Sequence, residues 1–476
     1  MKKLINKIAI LVLAVTGFTS CEKELDQLPF DEFASENAFV TAEDFENGIR
    51  GVYSALTRPG YYGSSDAGSL LSFPDVISDN VTLTTRGRQT KQTLHDFEYL
   101  PSQTLRGLYQ DAYTVIFRAN NVLFYTADYQ GENKANIEAE AKALRAMAHF
   151  DLVRTFGKIP TQSGDADGSL GVAYLVEADP FVEPTRETVG AVYEKIITDL
   201  IEAAAGINAT NPPGRMGKDA INVLLSRAYL YMGQWQNAIN AANNVSTSIA
   251  PRVSVPGIWQ DTNQDGLVFY IPNDATMLNL NIGVTWSQGN VTTLIPEYAV
   301  SFEFFQKFQE EDIRKEAYIF LGSNTGGLQW NAIKKLFGRP GQSNGLVDIK
   351  ILRAEEALLN KAEAQFELGQ TAQALTTLDV LRNQRYTTFT GGETGNALRD
   401  AIRLERRLEY AFEYQRFFDL KRWNLPIERE PFGDFADGSG TPSTNLFLEA
   451  GSFKFQLPIA IESIDQNPNL QQNPGY

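Results

Sequence analysis

The chain has 476 residues, 43% hydrophobic and 21% charged, with 58 acidic against 42 basic residues and a formal net charge of −16. That balance argues against nucleic acid as a partner, because phosphate contacts need a basic surface. One cysteine and two histidines exclude a disulfide scaffold and leave little for a Cys/His zinc site or a nucleophile–base pair.

The N-terminus is basic (Lys2, Lys3, Lys7), then apolar from Ile8 to Val15, then small and polar at Gly17, Thr19 and Ser20. The apolar run is too short to span a bilayer, which needs about 20 residues, and it has the shape of a secretory signal. Phe18-Thr19-Ser20-Cys21 reads as a bacterial lipobox. Residues 1–20 are then a lipoprotein signal peptide, and Cys21 is the acylated (palmitate-bearing) first residue of the mature chain. Several acyl chains on one residue hold a protein firmly at a membrane surface. Loss of Lys2, Lys3 and Lys7 leaves 39 basic against 58 acidic residues, a net charge of −19. Residues 21–40, opening EKELDQLPFDE after the cysteine, read as an extended tether. No later stretch is apolar enough to cross a membrane.

Residues 41–246 read as mainly helical. Thr41-Ala-Glu-Asp44 resembles a capping box, opening a helix with Phe45, Ile49 and Tyr53 at i, i+4, i+8. Ala141, Leu144, Met147, Ala148 and Leu152 form a stripe within 136–157, stopped by Gly157 and Pro160. Further helical blocks fall at 187–206 and 217–232. LLSRAYLYMGQWQNA at 224–238 is echoed by NKAEAQFELGQTAQA at 360–374. Ala228 and Ala364 stand five residues before Gly233 and Gly369, and Ala238 and Ala374 stand five after. Helix, glycine turn, helix with small residues at the crossing is the core of a tetratricopeptide-type hairpin. Residues 247–349 are irregular and polar, with short β-like runs such as Leu267–Ile271; a segment of that length and character inside a compact protein is usually functional. Helix is expected to resume at about Lys350 and run to about Trp423, inside a C-terminal region 350–476. The fold class is mainly α: a tetratricopeptide-like helical-hairpin scaffold carrying an irregular, loop-rich insertion with short strands.

Leu25-Asp26-Gln-Leu-Pro29, Arg118-Ala-Asn-Asn121, the segment from Glu140 through Arg145, Phe150 and Arg154 to Pro160, Arg353 with Glu356, Lys361-Ala-Glu-Ala364, the series Glu405, Arg406, Arg407, Glu409, Glu413, Arg416, Asp419, Arg422, then Leu457-Pro458-Ile459 and the final Gln472–Tyr476 follow one another in order. Together they resemble the SusD/RagB-type outer-membrane lipoproteins of Bacteroidetes over nearly the whole chain, 21–476 forming one unit. His149, where the family more usually has Tyr, and Phe18 in the lipobox depart from the pattern. The resemblance implies no catalytic activity and capture of oligosaccharides, or in some members peptides. It also implies a SusC-like TonB-dependent transporter as partner and an outward-facing, lipid-held position on the outer membrane, with Glu22 and Glu24 as a surface-export signal.

The residues themselves give candidates. Trp259, Trp286 and Trp330 fall in the irregular region, and their polar neighbours suggest exposed stacking platforms for pyranose rings, with buried packing as the open alternative for each. Tyr62 with Asp79, Asn80, Arg86 and Arg88 forms a second candidate cluster, with a solvated loop as its alternative. Asp261, Asn263 and Asp265 with Gly266 read either as an Asx-rich turn or as the first half of a calcium loop, though Pro272 occupies the place of the bidentate Glu. Calcium is thus the one cofactor in view. Glu405, Glu409 and Glu413 share a helix face and read as a structural ion-pair network, with a glycosidase pair as the rival. His149 reads as packing. The rival functions are a peptide binder and a tetratricopeptide scaffold without a small ligand.

Overall fold

The computed structural model describes residues 38–64, 68–102, 105–286, 288, 293–341 and 345–476. The signal peptide, Cys21, Glu22 and Glu24 lie outside the described residues. The N-terminal half is built on helices α1 (Ala42–Leu56), α2 (Arg106–Thr126), α3 (Lys134–Phe156), α4 (Val189–Gly206), α5 (Lys218–Tyr231) and α6 (Trp235–Asn243). Thr41 caps α1 as its sequence requires: its hydroxyl accepts from the Asp44 amide at 3.3 Å and the Asp44 carboxylate accepts from the Thr41 amide at 2.7 Å. Helix α3 packs between α2 and α4. Alanines at 139, 141, 143, 146 and 148, all buried, let both neighbours approach a helix that is covered on nearly every side.

The C-terminal half adds α7 (Ala354–Glu367), α8 (Thr371–Arg382), α9 (Gly395–Glu409) and α10 (Arg416–Arg422). The two echoed sequences are two hairpins, α5–α6 and α7–α8. Gly233 and Gly369 hold φ of 68° and 73°, the left-handed conformation in which a Cβ is strained. Ala228, Ala238, Ala364 and Ala374 are buried without remainder. The hairpins pack on each other through α7 against α5 and α6. At that seam Asn360 donates to Ser226 Oγ at 3.2 Å and Arg227 forks onto the Glu356 carboxylate.

Helix does not resume at Lys350. Ile349–Arg353 is a fully buried strand, and helix starts at Ala354. The β-branched Ile349 and Ile351 suit the pleat, and this strand pairs antiparallel with Leu267–Ile271, tying the irregular region to the scaffold. Eight strands are found among the described residues: β1 (Val81–Leu83), β2 (Leu267–Ile271), β3 (Tyr298–Val300), β4 (Ile319–Ser323), β5 (Gln329–Ile333), β6 (Ile349–Arg353), β7 (Ile427–Glu428) and β8 (Phe447–Leu448). They form two-stranded pieces only: β1–β3, β2–β6, the β4–β5 hairpin and β7–β8, all antiparallel. No described helix is long and apolar enough to cross a membrane.

Candidate functional site

Most of the residues that the sequence nominates are interior. Trp259, Trp286 and Trp330 are 2%, 0% and 0% exposed, so the expectation of three open indole platforms is corrected. Each is covered by a distant part of the chain. Lys335 Nζ lies 4.4 Å from the Trp259 ring, Phe412 and Tyr298 each lie 6.4 Å from the Trp286 ring, and Phe435 meets Trp330 edge-on at 6.0 Å. Tyr62 is likewise buried, its hydroxyl donating to Asp151 at 3.0 Å. Asp79 is gripped by Arg416 through two bonds of 2.7 Å, and Asn80 bonds Asp75 and Arg407, so neither is available to a ligand. For Tyr62, Asp79 and Asn80 the cause is the same: a buried polar or charged group must be paired inside the fold, and here it is. The three indoles are instead enclosed by packing, their Nε1–H groups without a hydrogen-bond partner among the described residues.

The carboxylates of α9 and the residues just after it are an internal network. Glu409 takes Arg353 Nη1 at 2.8 Å and Arg385 Nε at 2.8 Å; Glu405 takes Arg314 at 2.7 Å; Glu413 takes Arg353 at 2.8 Å and is paired with Lys335. All three are buried, so no pair of open carboxyls faces solvent there. Both histidines are sealed too. His149 accepts the Leu175 amide on Nε2 at 3.0 Å and lies stacked on Tyr174 at 3.8 Å, as packing requires. Burial pushes His149 down to about 3 and His95 to about 4, so both imidazoles are neutral at ordinary pH.

The calcium reading is also corrected. The Asp261 carboxylate is consumed by Lys350 Nζ at 2.5 Å, Arg339 at 2.6 Å and the Asp348 amide at 2.9 Å. Asn263 Oδ1 accepts from the Asp265 amide at 3.1 Å, the bond of an Asx turn. No cluster of three or more His, Cys, Asp or Glu side chains suited to a metal occurs among the described residues.

What the fold does assemble is a surface from four separated segments. The loop after β1 (84–91) is stitched to the loop 433–441 by Asp434, which accepts from Thr85 N at 2.9 Å and Thr441 N at 3.0 Å. The same 84–91 loop is held by Glu297, which accepts from Arg88 Nε at 2.7 Å and Thr90 N at 3.1 Å. Gly87 is needed there: a Cβ would stand 2.5 Å from Pro296 O. Leu294 N bonds Ser323 O on β4 at 3.0 Å, and Ala436 N bonds Gln329 O on β5 at 2.9 Å. Arg86 projects from this surface, exposed and without an ion pair among the described residues; Arg88 is spent on Glu297.

Two clefts flank Ala436 on that surface. One, of about 580 Å³, is bordered by Phe305, Phe320, Leu321, Lys315, Glu316 and Asn331. The other, of about 330 Å³, is bordered by Leu328, Gln329, Phe435, Asp437 and Ser439. Phe320 and Phe435 are half-buried, and each is braced by an aromatic ring behind it: Phe337 at 4.9 Å and Trp330 at 6.0 Å. Trp330 is thus the support of a platform, not the platform. Braced phenyl faces beside a side-chain amide and carboxylates can hold a ligand with an apolar face and a hydroxylated edge. Sequence reading missed Phe320, Phe435 and Gln329; Asn331, at the edge of the first cleft, is buried and holds Ala436 O through its amide at 3.0 Å. The signal available was an aromatic set inside the Gly/Asp-rich run 433–440.

Residues 321–476 match the family model described as SusD family, and residues 32–230 match one described as "Starch-binding associating with outer membrane". The chain is 23% identical to SusD-like protein P38 of Formosa agariphila, with all of both chains covered. It is 22% identical to a SusD-like protein of Bacteroides ovatus over 88% of this chain and 83% of that one. Among solved structures it is similar to a SusD superfamily protein from Bacteroides thetaiotaomicron, with a TM-score of 0.81, 26% identity, and 91% and 100% of the two chains covered. The fold is also that of a putative sugar binding protein from Bacteroides vulgatus, with a TM-score of 0.80, 24% identity, and 92% and 99% covered.

Proposed function

We propose, from the premise that this chain belongs to the SusD superfamily, that it is a cell-surface lipoprotein that binds oligosaccharides and passes them to a SusC-like TonB-dependent transporter. The observation that carries the binding half is the pair of braced phenyl rings, Phe320 and Phe435, on either side of Ala436, with the exposed Gln329 and Asp437 at hand. Rings of this kind suit the CH face of a sugar, and an exposed amide and carboxylate suit its hydroxyls. The model description that links a matching family to starch and the outer membrane and the sugar-binding name of a similar structure support the same reading. Arg86 is proposed as an auxiliary contact at the rim. The protein performs no chemistry on its ligand, and Cys21 carries the anchor.

A double variant, Phe320→Ala with Phe435→Ala, tests the site. Each aromatic contact is worth about 0.5–1.5 kcal/mol, so losing both should weaken oligosaccharide binding by about tenfold or more in calorimetric titration, with the melting temperature little changed. Unaltered affinity removes the clefts from the reading, and a wild-type protein that binds peptides but no glycan on an array turns it into that of a peptide receptor. Separately, Cys21→Ser should move the protein from the membrane fraction to the soluble one, since a chain without acyl groups has no lipid attachment. Retention in washed membranes of a host that lacks the transporter would refute the lipobox.

A further inference from the structure

Five exposed apolar side chains gather in one place away from the two clefts. On α2, Phe117 and Phe124 stand seven residues apart, two turns along one face, and both are exposed. The segment 175–184 runs beside that face and adds Val176, Phe181 and Val182, with Phe181 88% exposed and Phe124 68% exposed. Two adjoining hollows of about 550 and 600 Å³ lie along it, sharing Asp179. Scattered apolar residues need no explanation, but a run of this size does, and it ordinarily marks a protein interface.

Two observations say what covers it. The first is where the chain leaves the fold. Phe39, among the first described residues, stacks on Tyr125 at 4.8 Å, and Tyr125 lines the first hollow beside Phe124. Residues 21–37, 17 in all, can reach no more than about 60 Å fully extended, so an anchor at Cys21 keeps the membrane within that distance of the edge of this face. The second is charge. Glu177, Asp179 and Glu183 rim the patch, exposed and with no cationic partner among the described residues. A second copy of a chain of net charge −16 would bring the same acidic rim, and an anionic bilayer would repel it. We infer that the α2 face with segment 175–184 docks a membrane-embedded protein that presents an apolar patch ringed by lysine or arginine. On the functional reading above, on which this inference rests, that protein is the transporter.

The test uses the full acylated protein and the TonB-dependent transporter of the same outer membrane, purified together in detergent. Phe124→Asp with Phe181→Asp changes exposed residues only and should weaken the complex by about tenfold or more, as central apolar contacts do. Glu177→Lys with Asp179→Lys, which leaves the apolar contacts intact, should weaken it too and reverse its salt dependence. Oligosaccharide affinity should be unchanged in both variants. A complex of wild-type strength in both variants overturns the docking face while the glycan reading stands. A wild-type protein that forms no complex with the transporter overturns the delivery reading and the docking face together. If the variants instead lose self-association in sedimentation, or binding of unacylated protein to phosphatidylethanolamine–phosphatidylglycerol vesicles, the occupant is a second copy or the bilayer, and the inference fails.

Discussion

Glu409→Gln should cost about 3–5 kcal/mol of folding stability, the range for breaking a buried charge pair by removing one partner. Glu409 is fully buried and accepts from Arg353 and Arg385, with Arg314 at 3.5 Å. Neutralising it leaves those guanidiniums short of countercharge where water cannot reach. The pH dependence follows from the same geometry. Burial alone would raise the Glu409 carboxyl, but Arg385 and Arg353 outweigh it and hold it well below the usual range. Glu363 behaves alike: burial opposes ionisation, yet Arg422 and Arg406 hold it at about 2. A carboxyl depressed in the folded state contributes stability that is present above its unfolded value of about 4.3 and is lost as pH falls toward its folded value. Wild-type stability should therefore drop steeply below about pH 4.3, and Glu409→Gln should show a shallower acid slope. Urea unfolding at neutral pH and across the acid range measures both. A neutral-pH loss under about 1 kcal/mol, the scale of exposed pairs, would mean that solvent screens this network after all.

Trp330→Ala should cost about 3–5 kcal/mol as a large-to-small change in a packed interior, and oligosaccharide binding should fall with it. Trp330 is wholly buried on β5, paired across the hairpin from Gly322, and meets Phe435 edge-on. Removing the indole leaves a cavity and takes away the brace behind a ring that borders the second cleft. An exposed stacking platform would behave otherwise: binding lost, stability kept. Melting curves and titrations on the same preparation separate the two, and an unchanged melting temperature with abolished binding would restore Trp330 to the ligand surface. Trp286→Ala should cost stability on the same scale, since that ring too is fully covered.

The helical scaffold was legible residue by residue. Thr41 and Asp44 announce a helix start, Gly233 and Gly369 announce chain reversals, and the alanines around them announce close helix contacts, because each signal acts within a few residues of itself. The spacing of Glu405 and Glu409 equally announced a network, since charges on a packed helix face need partners; Glu413, expected on the same face, lies beyond the end of α9 and joins the network from the turn that follows. The boundary at 350 was misjudged because Ile349–Arg353 is a short apolar run whose strand character depends on β2, about 80 residues earlier. The site was largely illegible. Phe320 is an ordinary residue of β4 and Phe435 one of a polar loop, and nothing within ten residues of either says that the two border clefts meeting at Ala436.

The sequence by itself determined the mainly helical architecture, the paired hairpins and the acidic character of the chain, because these rest on local periodicity, turn geometry and composition. Tertiary structure alone decided which aromatic rings meet solvent. In an irregular segment no repeat assigns a side chain to an inner or outer face, so the fate of Trp330 was settled by Phe435, which arrives from 105 positions downstream.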